Sequence, residues 1–169
     1  MSVLRRGAAP GAVEVVVTDE RPEGDRPDEE PVDLARWQQL AQDVLAGEGV
    51  VGPAELAVAF VDEQAMADLN VTHMAGTGPT DVLSFPLDAE PDPTAGAGAP
   101  RLLGDVVICP AVARRNAVAP GGYEGEIALL VVHGVLHILG MDHAEADEAA
   151  AMVARERHHL AAVGMERRP

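Results

Sequence analysis

The sequence predicts a single α/β (α+β) domain, a small four-stranded sheet packed with about five helices, one of them a central metal-binding helix. Three observations lead there. Short β-branched segments alternate along the chain with longer segments whose apolar residues recur at helical spacing. One stretch, Ile127 to Leu139, is apolar nearly all round, as a core helix must be, yet carries two histidines. The 169 residues are ordinary for one core, so residues 1–169 are read as one domain.

The elements follow in order. Ala12 to Thr18 is β-branched and bounded by Gly11 and Asp19, which predicts the first strand. Residues 19–31 are acidic and proline-rich and read as a mobile surface loop. From Val32 a helical stripe of Leu34, Trp37, Ala41, Val44 and Leu45 runs to Gly47, with Trp37 as a core anchor. Leu56, Val58 and Phe60 alternate into a second strand after Pro53, and Asp62 is placed to cap a short helix carrying Met66 and Leu69. Residues 80–86 form a third strand that Pro86 ends, and residues 87–101 read as a second mobile loop of small residues, prolines and acids. Leu102 to Cys109 is the fourth strand, and Pro110 suits the first turn of a helix to about Val118. Gly121 and Gly122 break the chain before the apolar helix, which Glu124 and Glu126 start with negative charge at its positive end. Ala144 to Val163 is the last helix, with Met152, Val153 and Leu160 inward and His158 and His159 exposed.

The chemistry concentrates in HGVLHILGMDH, His133 to His143. Histidines four apart lie one turn above each other on a helix face, so His133 and His137 form a chelating pair. Gly140 then stands where the helix ends and the chain turns back, because glycine adopts the left-handed cap freely. His143 follows that turn. Three imidazoles suit one zinc ion and leave a fourth tetrahedral position for water, which implies catalysis. The spacing equals that of the metal-binding part of the metzincin protease signature, but Gly134 stands where those proteases carry their glutamate base. The bland reading makes the three buried core histidines, each needing a polar partner in an apolar segment. Glu126, seven residues before His133, is either an acceptor for an imidazole or only a helix-start residue.

A net charge of −16 argues against a strong intrinsic grip on a polyanion, and all twelve cationic side chains are arginines. Any phosphate-facing patch would have to come from pairs such as Arg114 with Arg115 or Arg155 with Arg157. Only 2% of residues are aromatic, so base-stacking platforms are few. The lone cysteine, Cys109, fits a reducing compartment, and no signal peptide or membrane span is read, which makes the cytoplasm the expected location.

Over nearly its whole length the chain resembles the YbeY family of bacterial metallo-endoribonucleases. The likeness rests on PTDVLSFP at Pro79 to Pro86, LGDVVICP at Leu103 to Pro110, and HGVLHILGMDH. It implies a zincin-like fold, one zinc ion on His133, His137 and His143, and cleavage of single-stranded RNA. It further implies 3′-end maturation of small-subunit (16S) ribosomal RNA and ribosome quality control. The chain's acidity leads to the expectation that the ribosome or its proteins are partners supplying RNA affinity. Two positions depart from the family pattern. Met74 stands where many relatives have an arginine, which Arg114 or Arg115 would have to replace, and Met141 replaces a tyrosine before Asp142. Two other readings stay open. One is a metalloprotease-like zinc hydrolase. The other is a non-catalytic ribosome-associated protein with a structural zinc, closed by Cys109 or Asp142 as fourth ligand.

Overall fold

The computed structural model describes residues 2–4, 11–87 and 99–169. Five strands, β1 (Ser2–Leu4), β2 (Val13–Asp19), β3 (Ala54–Phe60), β4 (Val82–Pro86) and β5 (Arg101–Ile108), form one sheet in the order β1-β2-β3-β5-β4. The central β2, β3 and β5 run parallel, while β1 and β4 lie antiparallel at the edges. The helices are α1 (Leu34–Gly47), α2 (Glu63–Met74), α3 (Pro110–Asn116), α4 (Gly122–Ile138) and α5 (Ala146–Ala162). This is the expected α/β architecture with one correction: β1 makes the sheet five-stranded. Three residues carry no readable alternation, and β1 exists only through its pairing with Thr18 and its neighbours on β2.

Local chemistry accounts for most boundaries. Asp33 and Asp62 each accept a hydrogen bond from the backbone N–H three residues on, at 3.1 and 2.8 Å, and so cap α1 and α2. Pro110 opens α3, where its missing N–H costs nothing. Helix α3 stops at Asn116, two residues short of the expectation, and α5 starts at Ala146 behind a capping box of Glu145 and Glu148.

The sheet separates two apolar clusters. Along β5 the alternation sends Val106 and Ile108 to one side with α1 and α4, and Val107 to the other with Met66 of α2. Eleven residues of α4 are buried, among them Ile127 to Val132, so this helix is the spine of the core. It packs against β4, β5, α1, α3 and α5 together. Trp37 is 2% exposed in that core, as its anchor role required.

One correction concerns a titratable side chain. His159, expected at the surface, is buried, with Nε2 2.6 Å from Glu48 Oε1, while His158 is exposed. Residues 19–31, expected as a mobile surface loop, carry side-chain ties of their own. They are held by Arg21, whose side chain is 3% exposed and binds Asp19 through Nε at 3.0 Å and a terminal nitrogen at 2.9 Å. Arg21 also donates to the Glu30 carbonyl at 3.2 Å, and Arg26 donates to the carbonyls of Arg21 and Asp19 at 2.8 and 3.1 Å. The expectation for 87–101 falls mostly on residues 88–98, outside the described residues; Arg101 belongs to β5.

Burial alone would raise the Asp19 carboxyl, but the Arg21 guanidinium outweighs it and holds Asp19 below the usual range. Replacing Arg21 by Ala strands that carboxylate, and urea unfolding is expected to show a loss of about 3–5 kcal/mol. Asp19 ionisation stabilises the native wild type above its unfolded pKa and ceases to as pH falls through the lower folded value. The gap between the two proteins therefore narrows below about pH 4.

Candidate metal centre

Helix α4 presents two imidazoles along one stripe and buries the rest of its circumference. His133 and His137 stand one turn apart with ring centroids 4.6 Å from each other. Gly140, at φ +93°, caps the helix: its N–H donates to the His137 carbonyl at 3.0 Å, and that of Met141 reaches the Leu136 carbonyl at 3.1 Å. This reversal returns His143 to the stripe, its ring 5.2 Å from His137 and 5.8 Å from His133. Asp142 Oδ1 accepts from the His143 backbone N–H at 2.7 Å, so Asp142 acts here as a turn residue fixing the returning backbone.

One nitrogen from each of the three rings lies within 4.8 Å of the other two. Tetrahedral zinc with ordinary bond lengths needs about 3.4 Å between ligand nitrogens, a difference that small ring rotations cover. Among the described residues no other His, Cys, Asp or Glu joins the group, so neither Cys109 nor Asp142 closes it as a fourth ligand. Cys109 is buried in the apolar cluster with Met66, Leu83 and Val112. The donor set fits a zinc-type ion with a position left open. Burial, then the charges of His133 and His143, hold His137 below the ordinary histidine value, which favours the neutral form that a metal requires.

The acceptor behind the triad is Glu156 of α5. His133 Nδ1–H donates to Glu156 Oε1 at 2.6 Å, which leaves Nε2 as the free ligand atom. Glu156 is 1% exposed, yet the hydrogen bonds from His133 and Arg167 outweigh its burial and keep it ionised. Glu126, the sequence candidate for this role, is buried elsewhere on α4 and faces Arg168 at 2.8 Å. The sequence did hold a signal for Glu156: it interrupts the inward stripe of Met152 and Leu160 at helical spacing. A carboxylate on a core face needs a partner.

Gly134 turns its missing side chain toward the sheet. A Cβ there would lie 2.5 Å from Val106 Cγ1 and 3.4 Å from Ser84 Oγ, and that hydroxyl donates to the Gly134 carbonyl at 3.1 Å. The position cannot carry a catalytic glutamate, which removes the structural basis of the protease alternative. The triad opens instead into a cleft of about 460 Å³, lined otherwise by Met74, Asp81, Val82, Leu83, Ser84 and Pro86. Met74 does face the site, as its alignment with the family arginine implied. Neither Arg114 nor Arg115 lines the cleft, and Arg115 pairs with Glu63 at 2.5 Å, so neither replaces that arginine.

Comparisons with known proteins bear on the chain's relatives and its fold. The family model described as Endoribonuclease YbeY matches residues 25–164. A protein named Endoribonuclease YbeY from Thermobifida fusca is 48% identical over 78% of this chain and 86% of its own length. One of the same name from Salinispora tropica is 48% identical over 77% and 87%. The solution structure of TM1509 from Thermotoga maritima shares the fold, with a TM-score of 0.54 and 23% identity over 87% of this chain and 85% of that one.

Overpacking a tight contact costs about 1–3 kcal/mol, and alanine regains at most about 1 kcal/mol of helix propensity over glycine. Gly134→Ala is therefore expected to lower stability, read as a reduced urea midpoint at unchanged slope. Below about pH 6.5 the unfolded chain takes up protons that His137 in the native state resists. The metal-free protein should accordingly lose stability as pH falls from 6.5 toward 5, and a titration of thermal midpoint against pH checks this.

Proposed function

The chain belongs to the endoribonuclease YbeY family, and from that premise we propose that it is a zinc-dependent endoribonuclease acting on single-stranded RNA. We place its work in 3′-end maturation of small-subunit ribosomal RNA and in ribosome quality control, in the cytoplasm, with residues 1–169 acting as one unit. His133, His137 and His143 are the proposed ligands. The observation that carries the reading is the convergence of three imidazoles, with no fourth side-chain donor among the described residues, at the wall of an open cleft.

When bound, a zinc-type ion supplies Lewis acidity for a phosphoryl oxygen and activates water at neutral pH. The chain's own residues prepare that chemistry. His137 stays neutral near pH 7, Glu156 fixes the proton of His133 on Nδ1, and Gly140 brings His143 into reach. Asp81 is the carboxylate on the cleft wall, but Oδ1 accepts from the backbone N–H of Val82 at 2.8 Å, which suits a strut holding β4 more than a proton acceptor.

Substrate selection follows from the same wall. Met74, Leu83 and Pro86 offer apolar surface to unstacked bases, which only a single strand presents, and the lining holds no arginine for phosphates. Some surface arginines are engaged too, Arg36 with Glu124 and Arg155 with Glu48. With a net charge of −16, affinity for RNA has to come from a partner, proposed to be the ribosome or its proteins.

Purified protein incubated with single-stranded RNA and zinc is expected to cut it. A chelator should stop cleavage, and His137→Ala should abolish it while circular dichroism stays native. Cleavage that survives both treatments, or peptide cleavage in place of RNA cleavage, would overturn the proposal.

A further inference from the structure

We infer that the segment following α5 is a positioning element for the metal site: Arg167 clamps Glu156, and Glu156 in turn holds His133 in the tautomer and orientation that a metal requires. The inference rests on the metal reading above and concerns residues outside the family match, which ends at residue 164.

The path is continuous and made of short hydrogen bonds. Gly164, at φ +75°, ends α5 as Gly140 ends α4: its N–H donates to the Ala161 carbonyl at 3.0 Å, and that of Met165 to the Leu160 carbonyl at 2.9 Å. The chain reverses, and Arg167 Nε reaches Glu156 Oε2 at 2.5 Å. The other oxygen of the same carboxylate accepts from His133 Nδ1–H at 2.6 Å. Glu156 thus has one oxygen for the tail and one for the imidazole. Its side chain is 2% exposed, so water does not replace either partner easily.

Arg167 matters because a buried carboxylate held at one oxygen only is free to rotate, and rotation releases His133 Nδ1. A guanidinium on Oε2 fixes the plane of the group. The adjacent Arg168 reaches a different buried carboxylate, Glu126, which touches no imidazole of the triad. Two neighbouring arginines therefore do separable work. Arg168 ties the segment to α4, and Arg167 alone reaches the carboxylate behind His133.

The test uses the full chain and reads metal binding apart from catalysis. Zinc affinity is measured by competition with a chromophoric chelator, cobalt(II) spectra report ligand geometry, and 15N NMR of the metal-free protein reports the His133 tautomer. Arg167→Ala is expected to weaken zinc binding about tenfold, within the range for residues that support ligands, and to shift His133 away from the pure Nδ1–H tautomer. Arg167→Lys should recover most of both. Arg168→Ala should lower the thermal midpoint and leave zinc affinity and tautomer as in the wild type. If Arg167→Ala keeps wild-type affinity, cobalt spectrum and tautomer, or Arg168→Ala weakens zinc as much as Arg167→Ala does, the clamp is refuted. A wild type that binds neither ion fails differently, because the metal reading then falls and takes the clamp with it. Should Arg167→Ala fold poorly, Glu156→Gln provides the same readouts, with loss of affinity expected and wild-type affinity overturning the inference.

Discussion

Everything at the site depends on how closely α4 lies against the sheet. A helix apolar on most of its surface gains by burying it, and eleven of its residues are buried. Burying it that closely needs one position without a side chain. Gly134 is that position: its neighbours across the contact, Val106 on β5 and Ser84 on β4, leave no room for a methyl group. Because His133 is the next residue back, the contact that seats the helix also sets where the first imidazole stands relative to β4. The cleft is what remains between that stripe and the edge strand. Packing and site geometry are thus one constraint, and a residue that looks in sequence like a missing catalytic base is a packing requirement.

The parts that were legible in the sequence are those that act over a few residues. Asp62 as a cap, Pro110 as a first-turn residue, Gly140 as a terminator and the stripe on α1 all work through neighbours within a turn, and each stands where local chemistry put it. The convergence of the three histidines was legible for the same reason, since they fall within eleven residues of one helix and its cap. What stayed hidden acts across the fold. Glu156 lies 23 residues from the imidazole it serves, and His159 lies 111 residues from Glu48. Spacing along one helix offered Glu126, beside a plain helix-start reading, for the first role and solvent for the second residue, and in both cases a contact between elements decided the outcome. The interruption of an apolar stripe by Glu156 was the available clue, because a buried carboxylate demands a counter-group even when its identity is unreadable.

The arginines show how an acidic chain builds a working interior. Asp19, Glu126 and Glu156 are each at most 6% exposed, and each faces an arginine, namely Arg21, Arg168 and Arg167. Guanidinium suits this work because its planar fork serves both oxygens of a carboxylate, as Arg21 does with Asp19. The bias toward arginine, which composition alone left without a role, is consistent with this internal use. It also explains why so little positive charge faces the cleft.

That scarcity bears on how an acidic protein would attract a phosphodiester. A dication held by three imidazoles would keep nearly all of its own charge, and Glu156 behind the triad is already matched by Arg167. With Asp81 the carboxylate on the cleft wall, the local charge there would still be far less negative than the molecule's total of −16. The Debye length at physiological salt is about 8 Å. A phosphate already in the cleft feels that local charge, whereas one approaching from solution meets the acidic exterior. Such a site would act faster on RNA that something else has delivered than on RNA met by diffusion, a preference built from the distribution of charge and requiring no base-specific contact.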